Sequence, residues 1–175
     1  MLHKGQIKAD QIKDNIFDFE IALRYVDYYI KNADIAIVNL ETVLAGKPYT
    51  DYPSFSSADT ITNVIKNIGF DIVVTANNPC LDKDKKGLEH TINLLNKADL
   101  KTTGTFIDSI DKINRNILFF NHNNIKFALL NYTYGTNGLT PTKPNIVNLK
   151  DVNEIKQSTK NCKNNNSDII IIYFH

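Results

Sequence analysis

The heptapeptide FDIVVTA (Phe70 to Ala76) restricts the fold more than any other stretch, because it is strand-sized and apolar on nearly every residue. A strand with one wet face alternates apolar and polar residues. A strand without alternation is buried on both faces, as in parallel sheets covered on two sides. The flanking segments supply cover. Upstream, Ile61, Val64, Ile65 and Ile68 fall at i, i+3, i+4 and i+7, one face of a helix that Asp59 or Thr60 is placed to cap and Gly69 to end. Downstream, a helix from about Gly87 puts Leu88, Ile92, Leu95 and Ala98 on one face. Strands and helices alternating in this way predict an α/β domain.

The rest of the chain continues the pattern. FDFEIALRYVDYYIKNA spaces Phe19, Leu23, Val26 and Ile30 by three and four, an amphipathic helix. DIAIVNLE (Asp34 to Glu41) is a short strand, followed by a loop broken at Gly46, Pro48 and Pro53. NILFFNHNNIKFALLNYT reads as two strands around an Asn-rich turn, a hairpin. A weaker helix is expected near Val152 to Lys160, and SDIIIIYFH closes the chain as the strand expected to be most buried. The prediction is one domain over residues 1–175, a mostly parallel sheet plus a hairpin. Both ends are abrupt: the chain stops one residue after IIIIYF, and a strand-first order calls for another strand ahead of the first helix. The domain is therefore expected to be incomplete at both termini.

Several function classes are disfavoured by composition. The formal net charge of +1 gives no attraction to nucleic acid or anionic lipid. No apolar run reaches the roughly 18 residues of a membrane span. MLHKGQIKADQIKD has no apolar core of a signal peptide, so the chain as written would stay in the cytoplasm. Cys80 and Cys162 are too few for a disulfide framework, and Cys80 reads as an idle thiol. His3, His90 and His122 share no helix face and read as surface residues. Gly135 and Gly138 do not precede a helix as a phosphate loop requires, and DKDKK (Asp82 to Lys86) reads as a solvated turn. No nucleophile–histidine–acid set can be assembled, so no catalytic residue is assigned.

Ligands of α/β sheets collect at the carboxyl ends of parallel strands. Those ends carry Asn39 and Glu41, then Asn77 and Asn78, then His175. A carboxylate, an amide oxygen and an imidazole at one edge match the donors of a divalent ion such as Zn, Mn or Fe. Each residue also has an ordinary reading: asparagine forms turns, Glu41 can cap one, and a terminal histidine is often just exposed.

ADIAIVNLETVLAGK, GFDIVVTANNPCLDKDKKGLEHTINLLNKADLKTTGT, IKFALLNYTYGTNG and SDIIIIYFH resemble, in order, the blocks of the CapA family of bacterial capsule and poly-γ-glutamate synthesis. The resemblance covers almost the whole chain. It implies a calcineurin-like metallophosphatase fold, with Glu41 as the carboxylate bridging two metals and Asn78 and His175 as ligands of one of them. It also implies a link to the capsule machinery and a membrane-associated, outward-facing setting. Pro79 stands where the family's A-N-N-H block has its histidine, and Asp84 where a later glycine would relieve a left-handed turn. The family's opening G-D-x-M and closing W-G-x-E-Y and G-x-H blocks have no counterpart in the sequence. Weakened metal binding and negligible phosphoester hydrolysis are therefore expected. The alternative is a non-catalytic α/β module whose sheet a partner chain completes. Either way, exposed sheet edges are expected to promote self-association.

Overall fold

The computed structural model describes residues 4–9, 11–13, 16–17 and 19–175; His3 lies outside them. The chain opens with α1 (Lys4–Ala9) and an antiparallel pair, β1 (Gln11–Lys13) and β2 (Ile16–Phe17). Then come α2 (Glu20–Leu23), α3 (Asp27–Lys31), β3 (Ile37–Asn39), α4 (Ile61–Ile68), β4 (Ile72–Val74) and α5 (Asp84–Lys97). The second half holds β5 (Lys101–Thr103), β6 (Thr105–Phe106), α6 (Ser109–Arg115), β7 (Leu118–His122), β8 (Ile125–Tyr132), β9 (Ile146–Val147), α7 (Val152–Asn164) and β10 (Ile169–Phe174).

The main strands form two sheets rather than one. In the first, β3, β4 and β5 lie parallel with β4 central. In the second, β8 is central, antiparallel to β7 and parallel to β10. The two pack face to face: Ile72 and Val74 of β4 meet Leu129 of β8, with Ile37, Phe120 and Ile171 around them. Because side chains alternate along a strand, the opposite faces are left for helices. Val73 packs with Ile61, Val64, Ile65 and Ile68 of α4 and Leu95 of α5. Ala128, Leu130 and Tyr132 pack with Ile155 and Cys162 of α7. The order of layers is helix, sheet, sheet, helix. β4 is thus buried on both faces, as its composition required, with helices on one side and a second sheet on the other.

A buried amide joins the sheets. Asn131 Oδ1 on β8 accepts from the Ala76 N–H at 2.7 Å, and its Nδ2 lies 3.4 Å from the carbonyls of Ala76 and of Tyr173 on β10. Gly104, with φ of +115°, permits this approach: a Cβ there would stand 2.1 Å from Asn131 Oδ1 and 2.5 Å from Ala76 N.

The hairpin forms as predicted, with Asn123 and Asn124 at φ of 48° and 64°, the left-handed pair of a tight hairpin turn. Gly69 ends α4 in the left-handed conformation. Other expectations are corrected. The helix over Phe19 to Ile30 is broken into α2 and α3, and Val26 is exposed while Phe19, Leu23 and Ile30 reach the core. Its Tyr-rich segment has modest helix propensity, and the residues between close by short turns, with Val26 N bonding Leu23 O. Thr60 begins α4 but makes no side-chain cap; the Asp59 carboxylate faces His90 instead. α5 begins at Asp84, ahead of Gly87. β10 is an edge strand of partly buried residues, not the most buried one, because only β8 pairs with it and its apolar residues are shared between the inter-sheet layer and α7. His90 and His122 lie at the surface as expected, 3.0 Å from an Asp59 oxygen and 3.2 Å from an Asp34 oxygen respectively. No described helix is long and apolar enough to cross a membrane.

α6 has no buried residue and is held by polar contacts: Asp108 caps Asp111 N at 2.8 Å, and Arg115 Nε donates to Asp111 Oδ1 at 2.6 Å. Burial alone would raise the Asp111 carboxyl, but Arg115 and the Ile107 N–H overcome it and hold it below the usual carboxylate range. A depressed folded-state value contributes stability above the unfolded value, lost as pH falls through the folded one. Asp111→Asn should therefore lower the urea midpoint at pH 7, with the gap from the parent closing below about pH 3.8. A gap independent of pH would rule out this source of stability. Gly104→Ala should cost more than about 3 kcal/mol by urea unfolding, through a forced displacement of backbone and loss of the buried amide bond. A loss under about 1 kcal/mol would show that the sheets do not depend on that close approach.

Candidate metal centre

The carboxyl ends of β3 and β4 in one sheet and of β10 in the other meet at one edge of the sandwich. Asn39 is the last residue of β3, and Glu41 follows two residues on. Beyond β4, Asn77 is extended and Asn78 opens a 3-10 turn, Asn78–Leu81. His175 follows β10 and stays tied to β8: its N–H donates to Tyr132 O at 3.0 Å, and its carbonyl accepts from Tyr134 N at 3.0 Å. The Tyr134 ring stacks on the imidazole, centroids 6.4 Å apart.

The three residues singled out as ligands are brought together. His175 Nε2 lies 2.8 Å from Asn78 Oδ1 and 3.5 Å from Glu41 Oε1. Asn39 Nδ2 lies 3.4 Å from His175 Nδ1. An amide nitrogen can only donate, so Nδ1 accepts and the neutral ring carries its proton on Nε2, aimed at Asn78 Oδ1. Asn39 is held in turn by Asn77, whose Nδ2 donates to Asn39 Oδ1 at 3.0 Å and to Leu40 O at 2.8 Å. Asn77 therefore ties the ends of β3 and β4 together. Its own Oδ1 is buried without a partner.

Carboxylate, amide oxygen and imidazole are the donor types that a divalent ion takes. Carboxylate and imidazole bonds of about 2.1 Å put neighbouring donors roughly 3.0–3.4 Å apart, and the observed spacings of 2.8 and 3.5 Å bracket that range. Among the described residues no group of three or more His, Cys, Asp or Glu side chains is positioned for a metal; Glu41 and His175 are joined here only by an asparagine.

A cleft of about 850 Å³ opens beside Asn78, lined by Tyr52, Ser54, Phe55, Asp82, Asp84 and Asn137 among others. Burial raises the Asp82 carboxyl, while a 2.8 Å bond from the Phe55 N–H partly offsets this. Asp84 sits at φ of 51°, the left-handed conformation anticipated from the glycine it replaces. Pro79 is buried in the 3-10 turn and offers neither a proton nor a lone pair from its side chain. Asn137 and Tyr134 of the loop after β8 are contacts that the strand-end argument missed; the signal was the Asn–Gly pair of a tight turn within YTYGTNG.

Cys80 takes no part. It is buried in the turn, and burial pushes its thiol up to about 12. Both cysteines are free and buried. At pH 8 a disulfide reagent should titrate no thiol in the native protein and both after unfolding; fast labelling of Cys80 in the native state would contradict its enclosure.

A family model described as "Bacterial capsule synthesis protein PGA_cap" matches residues 1–175. The capsule biosynthesis protein CapA of Bacillus anthracis is 26% identical over 172 residues, covering 92% of this chain and 41% of that protein. The chain thus spans less than half the length of that relative. Among solved structures, a putative 5'-nucleotidase from Staphylococcus aureus, in complex with alpha-ketoglutarate, superposes with a TM-score of 0.56 at 12% identity, over 95% of this chain and 34% of that one. An NAD nucleotidase of Haemophilus influenzae gives 0.50 at 15% identity, over 67% and 21%. These likenesses identify the fold as the metallophosphatase-like α/β fold of the nucleotidases.

Proposed function

The chain belongs to the bacterial capsule synthesis protein family PGA_cap, and from that premise we propose that it serves capsule or poly-γ-glutamate synthesis through a single-ion, phosphoesterase-like site of low hydrolytic power. The observation carrying this reading is the convergence of Glu41, Asn78 and His175 from two sheets beside an open cleft. When bound, a divalent ion supplies Lewis acidity toward a phosphoryl oxygen and lowers the pKa of a water.

The chain's own residues divide the remaining work. Glu41 contributes the negative charge, Asn78 a neutral oxygen and His175 a ring nitrogen, the ring being stacked against Tyr134; ligation through Nε2 would move the ring proton to Nδ1. Pro79 supports the low-power reading. The resemblance places an acid–base histidine there, and general acid–base help is worth roughly 10²–10⁴-fold. A leaving alkoxide at this site meets a buried pyrrolidine instead of a proton donor.

A second reading, an interaction module completed by a partner strand, is favoured by edge strand β10, whose Ile169 and Phe174 are exposed. Calorimetry and light scattering separate the two. The first requires Mn²⁺ uptake near one equivalent, weakened at least about tenfold in His175→Ala. The second requires a concentration-dependent dimer and no uptake. With an alkyl phosphate ester, whose alkoxide leaving group needs a proton, and Mn²⁺, the parent should turn over near background, and Pro79→His should gain at least about tenfold. Vigorous hydrolysis by the parent would overturn the low-power reading, and absence of ion uptake would overturn the metal reading.

A further inference from the structure

A primary amide has an oxygen end and a nitrogen end of nearly equal size, and only the oxygen can ligate a cation or accept from His175. Something must hold the Asn78 amide the right way round. Its Oδ1 faces His175 Nε2 at 2.8 Å, while its Nδ2 donates to Asn137 Oδ1 at 3.0 Å. Asn137 lies far away in sequence, in the loop after β8. It occupies the first central position of a tight turn in which Leu139 N bonds Thr136 O at 2.9 Å, and Asn137 and Gly138 have φ of 53° and 79°. Two successive left-handed residues make this a type I′ turn, a conformation that Asn–Gly adopts readily. The Thr136 hydroxyl braces the same turn by donating to Leu139 O. The loop is also anchored at the site itself, through Tyr134 N on His175 O at 3.0 Å.

We propose that Asn137 is a positioning residue: by accepting from Asn78 Nδ2 it fixes the Asn78 amide with its oxygen toward His175 and Glu41. The inference rests on the metal reading for its consequence, but its physical content, a locked amide, belongs to the metal-free protein. A flipped amide would turn Nδ2 toward His175 Nε2–H, donor against donor, and remove a ligand oxygen from the centre. The turn's backbone is closed by its own hydrogen bond and not by the contact it serves, which is itself exposed to solvent.

The test uses two variants that keep the left-handed backbone. Asn137→Gly removes the acceptor without straining the turn; Asn137→Asp keeps an acceptor for Nδ2. In the metal-free protein, side-chain ¹⁵N relaxation should find the Asn78 amide rigid in the parent and in Asn137→Asp, and mobile in Asn137→Gly. In Mn²⁺ calorimetry, Asn137→Gly should bind about 5–10-fold more weakly, the equivalent of one hydrogen bond, and Asn137→Asp at least as well as the parent. A mobile Asn78 amide in the parent overturns the proposal. So does an Asn137→Gly protein that binds as tightly as the parent, or an Asn137→Asp protein as weak as Asn137→Gly. If the parent takes up no ion while its amide is rigid and is released only in Asn137→Gly, the metal reading fails and the lock stands.

Discussion

The distance between the two sheets decides whether any site exists, and one buried side chain sets it. Asn131 projects from β8, accepts from the Ala76 N–H and sits against the carbonyls of Ala76 and Tyr173. Leaving a buried amide unpaired costs about 1–3 kcal/mol, so the sheets are held at the separation that satisfies it. Apolar contact between Ile72, Val74 and Leu129 pulls them together without direction. The amide adds direction and register. Gly104 is part of the same device, since a methyl group at its position would occupy the space of the bond.

The geometry of the centre follows from this clamp. Ala76 immediately precedes Asn77 and Asn78, and Tyr173 lies two residues before His175. One side chain therefore touches both segments that lead to the candidate ligands Asn78 and His175 from opposite sheets. Glu41 is placed by the parallel pairing of β3 with β4, reinforced where Asn77 reaches across to Asn39 and Leu40. The remaining freedom lies within side chains, and there the amides are held by further amides: Asn39 by Asn77, Asn78 by Asn137. The chain uses asparagine at the centre for its two-ended hydrogen bonding, which fixes orientation without adding charge.

Much of this was legible in the sequence, for reasons that also mark the limit. The run over β4 could only be a strand covered twice, and the isoleucine and valine spacing over α4 could only be a buried helix face. The hairpin turn was written in two asparagines. The ends of β3, β4 and β10 gave the residues that the structure brings together. Periodicity says that a face is covered but not by what, so one sheet was read where two pack together. The same blindness made IIIIYF look central when it forms an edge strand. β5, written Lys-Thr-Thr, is short and polar, β9 is only the pair Ile146–Val147, and α6 buries nothing, so none gives a clear signal. Asn131 was within reach: a polar residue inside FALLNYT has to find partners if that strand is buried.

The ligand positions also lie far apart along the chain: Asn78 and His175 are 97 residues from one another. Neither sheet alone can present the centre, so it does not pre-exist in a partly folded chain, and closing so long a loop carries an entropic cost before any contact repays it. An ion that recognises this arrangement recognises only the fully docked sandwich. By mass action, each tenfold excess of ion over its dissociation constant deepens the native state by about 1.4 kcal/mol. Under the proposed metal reading, a bound ion would act as a late latch on the fold, coupling the ion supply around the protein to the fraction of chains that remain native.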